Sequence, residues 1–471
     1  MLFTTPTFVI FLAIVFPTYW LLEGRRQNQF ILAASLVFYG WWNWRFLGVL
    51  LLSAGIDFLV ALKLEETGDE RRRTWLLRLS LFTNLGMLAV FKYANFFLET
   101  TSSLATRAGL GIAYSPLRIL LPLGISFYTF QALSYTIDVY RRQLPATRDP
   151  VAYFGFITFF PHMVAGPIQR AVHLLVQFDN EREFSYERAA DGCRQILWGV
   201  FKKLVIADNL APLVNAAFAH PAGTSGSQLV WAAYAFTIQV YCDFSGYTDI
   251  AIGCARLFGF NLTRAFAYPY FALTITQLWL RWNMSLMEWF REYVFIPLGG
   301  SRLGRARTWL NLLVVFVLSG LWHGASWSFV AWGTFNGIMI IVTDAIGLDR
   351  WIRTRARPRP LTDFLLWVVT FQFMVTAAVM FRAGSLSTLA TVLSRAGLAI
   401  LTGSIVAPSS PGILLMMAGM MAFEWIQRHR QHALEIERWS PPFRLAAYYG
   451  VLGMIFWRAN LGSAPFIYFQ F

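Results

Sequence analysis

Charged side chains are scarce in this sequence of 471 residues, at 14%, while 57% of the residues are hydrophobic. Soluble domains carry about 25% charged residues. A water-soluble core cannot hide this much apolar surface, so the composition excludes an ordinary soluble enzyme. Aromatic residues reach 17%, including 19 Trp, and Trp and Tyr favour the boundary between membrane and water. The composition therefore predicts an integral membrane protein.

Cysteine is also scarce, at positions Cys193, Cys242 and Cys254 only. Their spacing fits neither a disulfide framework nor a metal site, so we expect each to pack as a small apolar side chain. No two histidines have a metal-ligand spacing, and no metal is predicted. The start of the chain lacks a basic region followed by a small-residue cleavage site, so residues 8–22 are interpreted as a first span.

Acidic residues are fewer than basic ones, which gives a net charge of +14. Arg and Lys fall in short loops between apolar runs, which is typical of membrane topology and argues against nucleic-acid binding. Up to about residue 150, basic loops alternate with nearly uncharged ones. This alternation places the N-terminus outside and three basic loops in the cytoplasm. These loops carry Arg25 and Arg26, Lys63 with the arginines at 71–73, and Arg141 and Arg142.

Apolar runs of nearly spanning length predict roughly eleven to fourteen helical passes. The runs lie at 7–22, 28–44, 46–62, 75–91, 117–137, 151–167, 228–257, 309–322, 325–347, 362–381, 386–406, 411–426 and 444–460. We expect one membrane domain over residues 1–471, with N-terminal helices at 1–150, a catalytic core at 151–345 and C-terminal helices at 346–471. Residues 168–190 and 260–308 are interpreted as buried or interfacial segments.

Polar side chains inside apolar runs are costly and therefore informative. One long apolar run, 310–324, ends in Trp322, His323 and Gly324. Ser319 and Gly320 lie one turn before His323, on the same helical face, where small residues permit close approach of another helix or a substrate. A neutral imidazole here can accept a proton, but a lone buried histidine can equally be a hydrogen-bonded core residue.

A second cluster, residues 277–300, interleaves aromatic and charged side chains. Arg281, Ser285, Glu288 and Glu292 have the spacing of one helical face, which favours an interfacial amphipathic helix. Pro297 and the following glycines are expected to end it. Asn283 is the candidate exception because it stands among the aromatic residues.

A third cluster, in the run 228–257, contains two carboxylates. Tyr241, Ser245 and Asp249 share one helical face, and Asp243 lies about 120° round from Asp249. Inside a membrane both acids need partners or water, so they either hold an arginine or line a polar pore. Structural pairing is at least as well supported as chemistry, and the spacing does not favour a paired-carboxylate mechanism.

A polar stripe runs along the segment 124–138. Its members at helical spacing are Tyr128, Gln131, Tyr135 and Asp138. The stripe must face protein or water, which suggests a tunnel wall, with interhelical packing as the equal alternative.

The remaining histidines give weaker signals. His162 sits where Pro161, Gly166 and Pro167 are expected to break a helix, and such breaks tend to line cavities. His429 and His432 lie in a charged loop and are interpreted as solvated surface.

Together these segments resemble the membrane-bound O-acyltransferase family, in its bacterial branch of alginate O-acetylation proteins. The resemblance is carried by GISFYTFQALSYTIDVYR (124–141), PHMVAGPIQR (161–170), VYCDFSGYTDIAIGCARLFGF (240–260), LWLRWNMSLMEWFREYVFIPLGGSR (278–302), SGLWHGASWSFVAWGTFNG (319–337) and PFIYFQF (465–471). It implies a ring of membrane helices around a central funnel and makes His323 the family's invariant histidine. A second position, often His in the family, falls on Asn283, whose amide can donate a hydrogen bond but cannot shuttle a proton.

The resemblance also implies an activity. Such proteins move an acyl group, commonly acetyl, toward hydroxyls of exported polysaccharides or cell-wall glycans, directly or through an extracytoplasmic partner protein. We therefore expect acetyl-CoA or another acyl thioester as donor substrate, no bound cofactor, and a place in the bacterial cytoplasmic membrane among its lipids. His323 is expected to be the general base and Asn283 the oxyanion donor, with a covalent acyl intermediate as the alternative. Further candidates for the tunnel or for supporting contacts are Asp243, Ser245, Asp249, Tyr128, Gln131, Trp322 and Arg281.

Two other classes of function remain open at this point. A transporter with a polar site at the membrane midplane would depend on an ion gradient and ignore acetyl-CoA. A scaffold that has lost activity through Asn283 would keep its biological output without His323.

Overall fold

The fold was analysed in a computed structural model, which describes residues 1–110, 115–355, 357–406, 411–460 and 466–467. These residues form helices joined by turns, and no β-strand occurs among them. The prediction of an all-α membrane protein is confirmed. Most of the resemblance-bearing tail at 465–471 lies outside the described residues, which include only Phe466 and Ile467 of it.

The chain divides into two compact units. The first comprises Met1–Ala190 and Cys254–Thr263, and the second comprises Asp191–Gly253 and Arg264–Phe471. The single domain expected for residues 1–471 stays a prediction.

The helices that begin in the first unit are α1 (Pro6–Trp20), α2 (Gly24–Asn43), α3 (Arg45–Glu66), α4 (Glu70–Leu88), α5 (Ala94–Arg107), α6 (Ile125–Tyr140), α7 (Pro150–Thr158), α8 (Phe160–Met163), α9 (Ala171–Leu174) and α10 (Tyr186–Val200). Those that begin in the second are α11 (Asp208–Ala219), α12 (Gly226–Leu257), α13 (Ile275–Trp279), α14 (Met284–Phe290), α15 (Arg305–His323), α16 (Trp327–Ala345), α17 (Leu348–Thr354), α18 (Pro360–Arg382), α19 (Leu386–Leu401), α20 (Pro411–Ile426) and α21 (Pro441–Arg458).

Helices long and apolar enough to cross a membrane occur at four places in the described part of the chain. They are Arg45–Glu66, Glu70–Arg107, Trp327–Ala345 and Pro360–Arg382. Shorter apolar helices are Pro6–Trp20, Leu386–Leu401 and Leu414–Ile426. A chain with several such helices passes through the membrane more than once, so the multi-pass prediction is confirmed.

A buried carboxylate holds three helices of the first unit together. Asp57 of α3 is fully buried and accepts hydrogen bonds from Asn84 of α4, at 2.7 Å, and from Thr136 of α6, at 3.2 Å. Ser80 of α4 donates a further hydrogen bond to it. Because a buried polar group is stable only with partners, this network fixes the register of α3, α4 and α6.

Helices α15 and α16 form a tight pair in the second unit, and small residues make it possible. A Cβ on Gly320 would lie 2.2 Å from the carbonyl oxygen of Phe329, and one on Gly333 would lie 2.2 Å from that of Phe316. Backbones can approach this closely only at glycine. The close approach expected beside His323 is therefore made by a neighbouring helix.

Three regions differ from the sequence interpretation. The stretch between the predicted apolar runs 75–91 and 117–137 is helical at Ala94–Arg107 and continues α4 through a π-helical turn, Ala89–Tyr93. The run 117–137 becomes helical only at Ile125, after Gly124 with a left-handed φ of 72°. Helices α10 and α11, joined by the π-helical turn Phe201–Ala207, were not predicted, because their mixed composition lacks a long apolar run.

Candidate active site

His323 is the last residue of α15, and its side chain lies in an aromatic environment. Gly324 is extended, which ends the helix at this point. The imidazole is only 7% exposed, and its centroid lies 4.9 Å from the ring of Trp322, 5.2 Å from Trp332 and 5.3 Å from Phe381. All three contacts are edge-on, which is a favourable geometry for aromatic rings. The ring orientation of His323 is thus set by packing.

His323 lines a small cavity in the second unit. The other lining residues are Phe236, Val240, Trp279, Trp282, Trp332, Met374, Ala377, Ala378 and Phe381. The volume is about 20 Å³, which is room for a single water molecule. Among the described residues of this lining, His323 is the only titratable one. An apolar cavity of this kind has no room for bulk water and strengthens electrostatic interactions inside it.

One indole N–H in this cavity is a buried hydrogen-bond donor that the sequence did not single out. Trp279 is 5% exposed, and its indole Nε1 has no hydrogen-bond acceptor among the described residues. Buried polar groups are rarely left without a partner, so each exception asks for an explanation. A group bound in the cavity would supply the acceptor. Composition gave no signal for this role, because Trp279 is one of 19 tryptophans.

The amphipathic helix predicted in the cluster 277–300 is interrupted between Trp279 and Met284. Helix α13 ends at Trp279, a turn follows, and α14 begins at Met284 after Asn283, whose φ of 42° and ψ of 54° are left-handed. Backbone hydrogen bonds brace the turn, from Ala267 N to Arg281 O at 2.9 Å and from Met284 N to Ala265 O at 2.8 Å. Arg281 therefore shares no helical face with the acidic residues beyond it. The turn brings Trp279 and Trp282 to the cavity.

Asn283 occupies the strained position of this turn. The residue is 4% exposed, and its Nδ2 has no hydrogen-bond partner among the described residues. It follows Trp282, which lines the cavity, but does not itself belong to the lining. Left-handed backbone at a residue other than glycine is uncommon and occurs often at functional sites, with Asn the most tolerant. Its role as oxyanion donor stays a prediction.

The carboxylates of α12 are paired with two consecutive lysines in the π-helical turn Phe201–Ala207. Lys202 Nζ lies 2.6 Å from Asp249 Oδ2 and 2.8 Å from Ser245 Oγ. Lys203 Nζ lies 2.6 Å from Asp243 Oδ1 and 2.8 Å from Asp208 Oδ1. The partners are lysines and not the arginine considered from the sequence. The reading of Asp243 and Asp249 as structurally paired residues is confirmed.

Glu424 of α20 extends this lysine–carboxylate network. Tyr241 Oη donates to Glu424 Oε2 at 2.8 Å, and Lys202 Nζ lies 3.9 Å from Glu424 Oε1. The backbone N–H of Ile467 donates to Asp243 Oδ2 at 2.8 Å. The common face expected for Tyr241, Ser245 and Asp249 is confirmed, because the side chains of all three contact Lys202. Two adjacent lysines in the apolar stretch 199–207 were the overlooked signal.

The polar stripe of α6 lies in the first unit and is bonded within it. Gln131 Nε2 lies 2.8 Å from His162 Nδ1, and the other ring nitrogen of His162 lies 3.1 Å from the carbonyl oxygen of Phe156. Asp138 pairs with Arg170 at 3.4 Å. Tyr128 is 1% exposed. Interhelical packing thus accounts for the bonded part of the stripe, while a tunnel wall at Tyr128 and Gln131 stays a prediction. The helix break around His162 is confirmed between α7 and α8.

Two minor predictions were wrong. His432 is 2% exposed and its Nε2 lies 2.9 Å from Asp191 Oδ1, so it is a buried, hydrogen-bonded residue and not solvated surface. Cys193 is exposed, whereas Cys242 and Cys254 are buried as expected. Both errors have the same origin, because Asp191 and Cys193 lie in helix α10, which was not predicted.

Comparison with known proteins identifies the class. Residues 41–383 match the model of the membrane-bound O-acyltransferase family, well over half of the chain. The protein belongs to this family and is an O-acyltransferase, and the resemblance read from the motifs is confirmed.

Among curated relatives, the chain is 38% identical to the probable alginate O-acetylase AlgI of Azotobacter vinelandii, over 82% of this chain and 76% of the relative. It is 39% identical to the protein of the same name from Pseudomonas aeruginosa, over 82% and 73%. It is 34% identical to the peptidoglycan O-acetyltransferase of Helicobacter pylori, over 83% and 79%.

Proposed function

We propose that this O-acyltransferase moves an acetyl group from a cytoplasmic thioester, acetyl-CoA, to hydroxyls of an exported polysaccharide or cell-wall glycan. The observation that carries the proposal is His323, held by aromatic packing at the wall of an apolar cavity. The names of the relatives, alginate O-acetylase and peptidoglycan O-acetyltransferase, support acetyl as the group and a glycan as the acceptor. The setting is the bacterial cytoplasmic membrane, with basic loops on the donor side.

His323 acts as general base in this proposal. It takes the proton from the acceptor hydroxyl while that oxygen attacks the thioester carbonyl carbon. The tetrahedral intermediate then collapses, the C–S bond breaks, and the imidazolium returns the proton to the leaving sulfur. The products are the O-acetyl ester and the free thiol, so no net proton is released. A dry, apolar cavity suits this cycle because it keeps water from hydrolysing the thioester.

The developing oxyanion needs a donor, and two residues qualify. Asn283 is the candidate from the family resemblance, and its buried amide lacks a partner among the described residues. Trp279 is the candidate from the structure, because it lines the cavity with an indole N–H that has no acceptor among those residues. One donor of this kind contributes about 3–4 kcal/mol in well-studied cases.

The tight packing around His323 favours a short acyl group over a longer one. Its volume is about 20 Å³ and its walls are large rings together with Met374 and the small residues Ala377 and Ala378. Each added methylene would have to displace a packed wall, which costs free energy in a well-filled core.

Two alternatives share the same site. In a covalent variant, His323 would act as the nucleophile and hold the acetyl group before it is transferred to the acceptor. A weakened acyltransferase is the second alternative, favoured by the Asn at position 283 where the family resemblance implies that His is frequent, and a partner outside the membrane would then complete the transfer.

The test is transfer of labelled acetyl from acetyl-CoA by purified protein in liposomes, with uronic acid oligosaccharides and cell-wall glycan fragments as acceptors. The variants are His323→Ala and, as a matched control, His220→Ala, whose side chain is exposed. Loss of turnover in the first and retention in the second supports the proposal. Equal turnover in all three proteins contradicts it, and labelled protein that forms without acceptor favours the covalent variant.

A further inference from the structure

A large apolar groove lies in the second unit, between the start of α18 and the end of α20. Its volume is about 700 Å³, within the range of pockets that hold whole organic ligands. The lining consists of Phe271, Leu273, Pro360, Asp363, Phe364, Trp367, Met421, Ala422, Trp425 and Ile426. None of these residues lines the cavity of His323. The groove is therefore separate from the acyl-transfer site.

The walls of the groove are held in place by specific contacts. Trp367 Nε1 donates to the carbonyl oxygen of Tyr270 at 2.7 Å, and the ring of Phe271 packs edge-on against Trp425 at 5.0 Å. A flat lipid-facing surface needs no such bracing, as on the outer face of α18, where Leu361 and Val369 are simply exposed. The concave shape is thus built into the fold.

Arginines flank the helix ends that line the groove. Residues at the first turns of α18 and at the last turn of α20 line it together, so the residues that flank these helix ends lie at the same end. Arg355 forms a bidentate pair with Asp363 of the lining. The guanidinium of Arg428 lies 4.1 Å from the ring centroid of Trp425, and Arg359 immediately precedes Pro360.

We infer that this groove binds an anionic phospholipid of the surrounding bilayer, with an acyl chain along the apolar walls and the phosphate at Arg359 and Arg428. Arg355 neutralises Asp363, so the only carboxylate of the lining does not repel the headgroup. Basic residues at the boundary of apolar helices attract anionic headgroups, and guanidinium groups match phosphate geometry. A helix of a partner protein would fill the apolar walls but leave the arginines without a counter-charge.

The test uses purified protein in nanodiscs with photoreactive phosphatidylglycerol or phosphatidylcholine carrying the same diazirine acyl chain. Crosslinked peptides are mapped by mass spectrometry. We expect phosphatidylglycerol to label peptides that contain residues 364–367 and 421–426 more strongly than phosphatidylcholine does. Arg359→Gln and Arg428→Gln should each lower this excess about fivefold. Arg302→Gln and Arg307→Gln, exposed arginines outside the lining, serve as charge-matched controls and should leave it unchanged.

A further variant, Ala422→Trp, fills the groove and should abolish its labelling by both lipids. Equal labelling by the two lipids in the wild type would overturn the inference, because the groove would then hold bulk lipid without headgroup selection. Labelling confined to other peptides would overturn it as well and would leave the groove to a protein partner. If the control arginine variants lose the excess labelling by phosphatidylglycerol to the same extent, the effect is due to net charge alone and the inference is contradicted.

Discussion

Two regions of the second unit bury titratable side chains in opposite ways. In the lysine–carboxylate network, Lys202 and Lys203 meet Asp208, Asp243 and Asp249 at 2.6–2.8 Å. His323 instead faces three aromatic rings and an apolar cavity. A network whose members bond one another is suited to holding helices in register. A single titratable group at the wall of a cavity is suited to meeting a substrate. Buried titratable groups thus support helix packing in one region and, in the proposed mechanism, the chemistry in the other.

The largest effect is expected where the comparison is sharpest, at His323. His323→Gln keeps a polar side chain of similar length but removes the base, so acetyl transfer should fall by about 10²–10⁴-fold. The thermal unfolding midpoint in detergent should change little, because Gln fills most of the space of the imidazole between the surrounding rings. Turnover with labelled acetyl-CoA and the unfolding midpoint should be measured on the same preparation. A large drop in the midpoint would show that His323 contributes to stability, and the contrast with the lysine–carboxylate network would not hold.

The network should respond in the opposite sense. Lys203→Met leaves Asp208 and Asp243 buried without their cation, which typically costs about 3–5 kcal/mol of stability. We expect a much lower unfolding midpoint, while the fraction that stays folded turns over acetyl-CoA normally. Lys63→Met, at an exposed position, is the matched control and should change neither quantity. Recovery of the midpoint in the triple variant that adds Asp208→Asn and Asp243→Asn would identify the unpaired charge as the cause.

The two regions also differ in how far the sequence predicts them. His323 stands in a long apolar run followed by Gly324, so a helix ending in a histidine could be read directly, and the resemblance gave its role. The common face of Tyr241, Ser245 and Asp249 followed from helical periodicity and is confirmed. Lys202 and Lys203 were missed because they sit in the π-helical turn Phe201–Ala207, within helices whose mixed composition hides their period.

The turn before α14 could not be predicted for a different reason. Residues 277–296 satisfy helical spacing, yet Asn283 adopts a left-handed conformation that pairing with the backbone of residues 265–267 stabilises. Local propensity does not encode such a tertiary contact. As a result, the cavity position of Trp279 and Trp282 emerged only from the structure.

A third test concerns the group that donates a hydrogen bond to the oxyanion near His323. Trp279→Phe keeps an aromatic side chain, although a smaller one, and removes the indole N–H, and Asn283→Ala removes the amide. The variant that deletes the true donor should lower kcat about 10²–10³-fold with little change in KM. Trp332→Phe, in the same cavity, is the control for loss of indole shape. If both test variants keep full kcat, a backbone N–H or the acceptor itself must stabilise the oxyanion. A gain in rate with Asn283→His would show that position 283 reaches the reacting groups.

The smallest effect is expected from the wall of the cavity, where packing alone is altered. Met374 lines the cavity beside Ala377 and Ala378 and is 5% exposed, so Met374→Ala enlarges the space next to His323 without touching a titratable group. Each methylene that a pocket accepts or rejects is worth roughly 10–200-fold in specificity. We expect the ratio of kcat/KM for propionyl-CoA over acetyl-CoA to rise by about tenfold, at the lower end of that range, because neighbouring side chains partly fill the space. Met421→Ala, in the separate apolar groove, removes the same atoms elsewhere and should leave the ratio unchanged. An unchanged ratio in both variants would mean that the acyl group binds outside this cavity. His323 would then have to contact the thioester somewhere other than at the cavity.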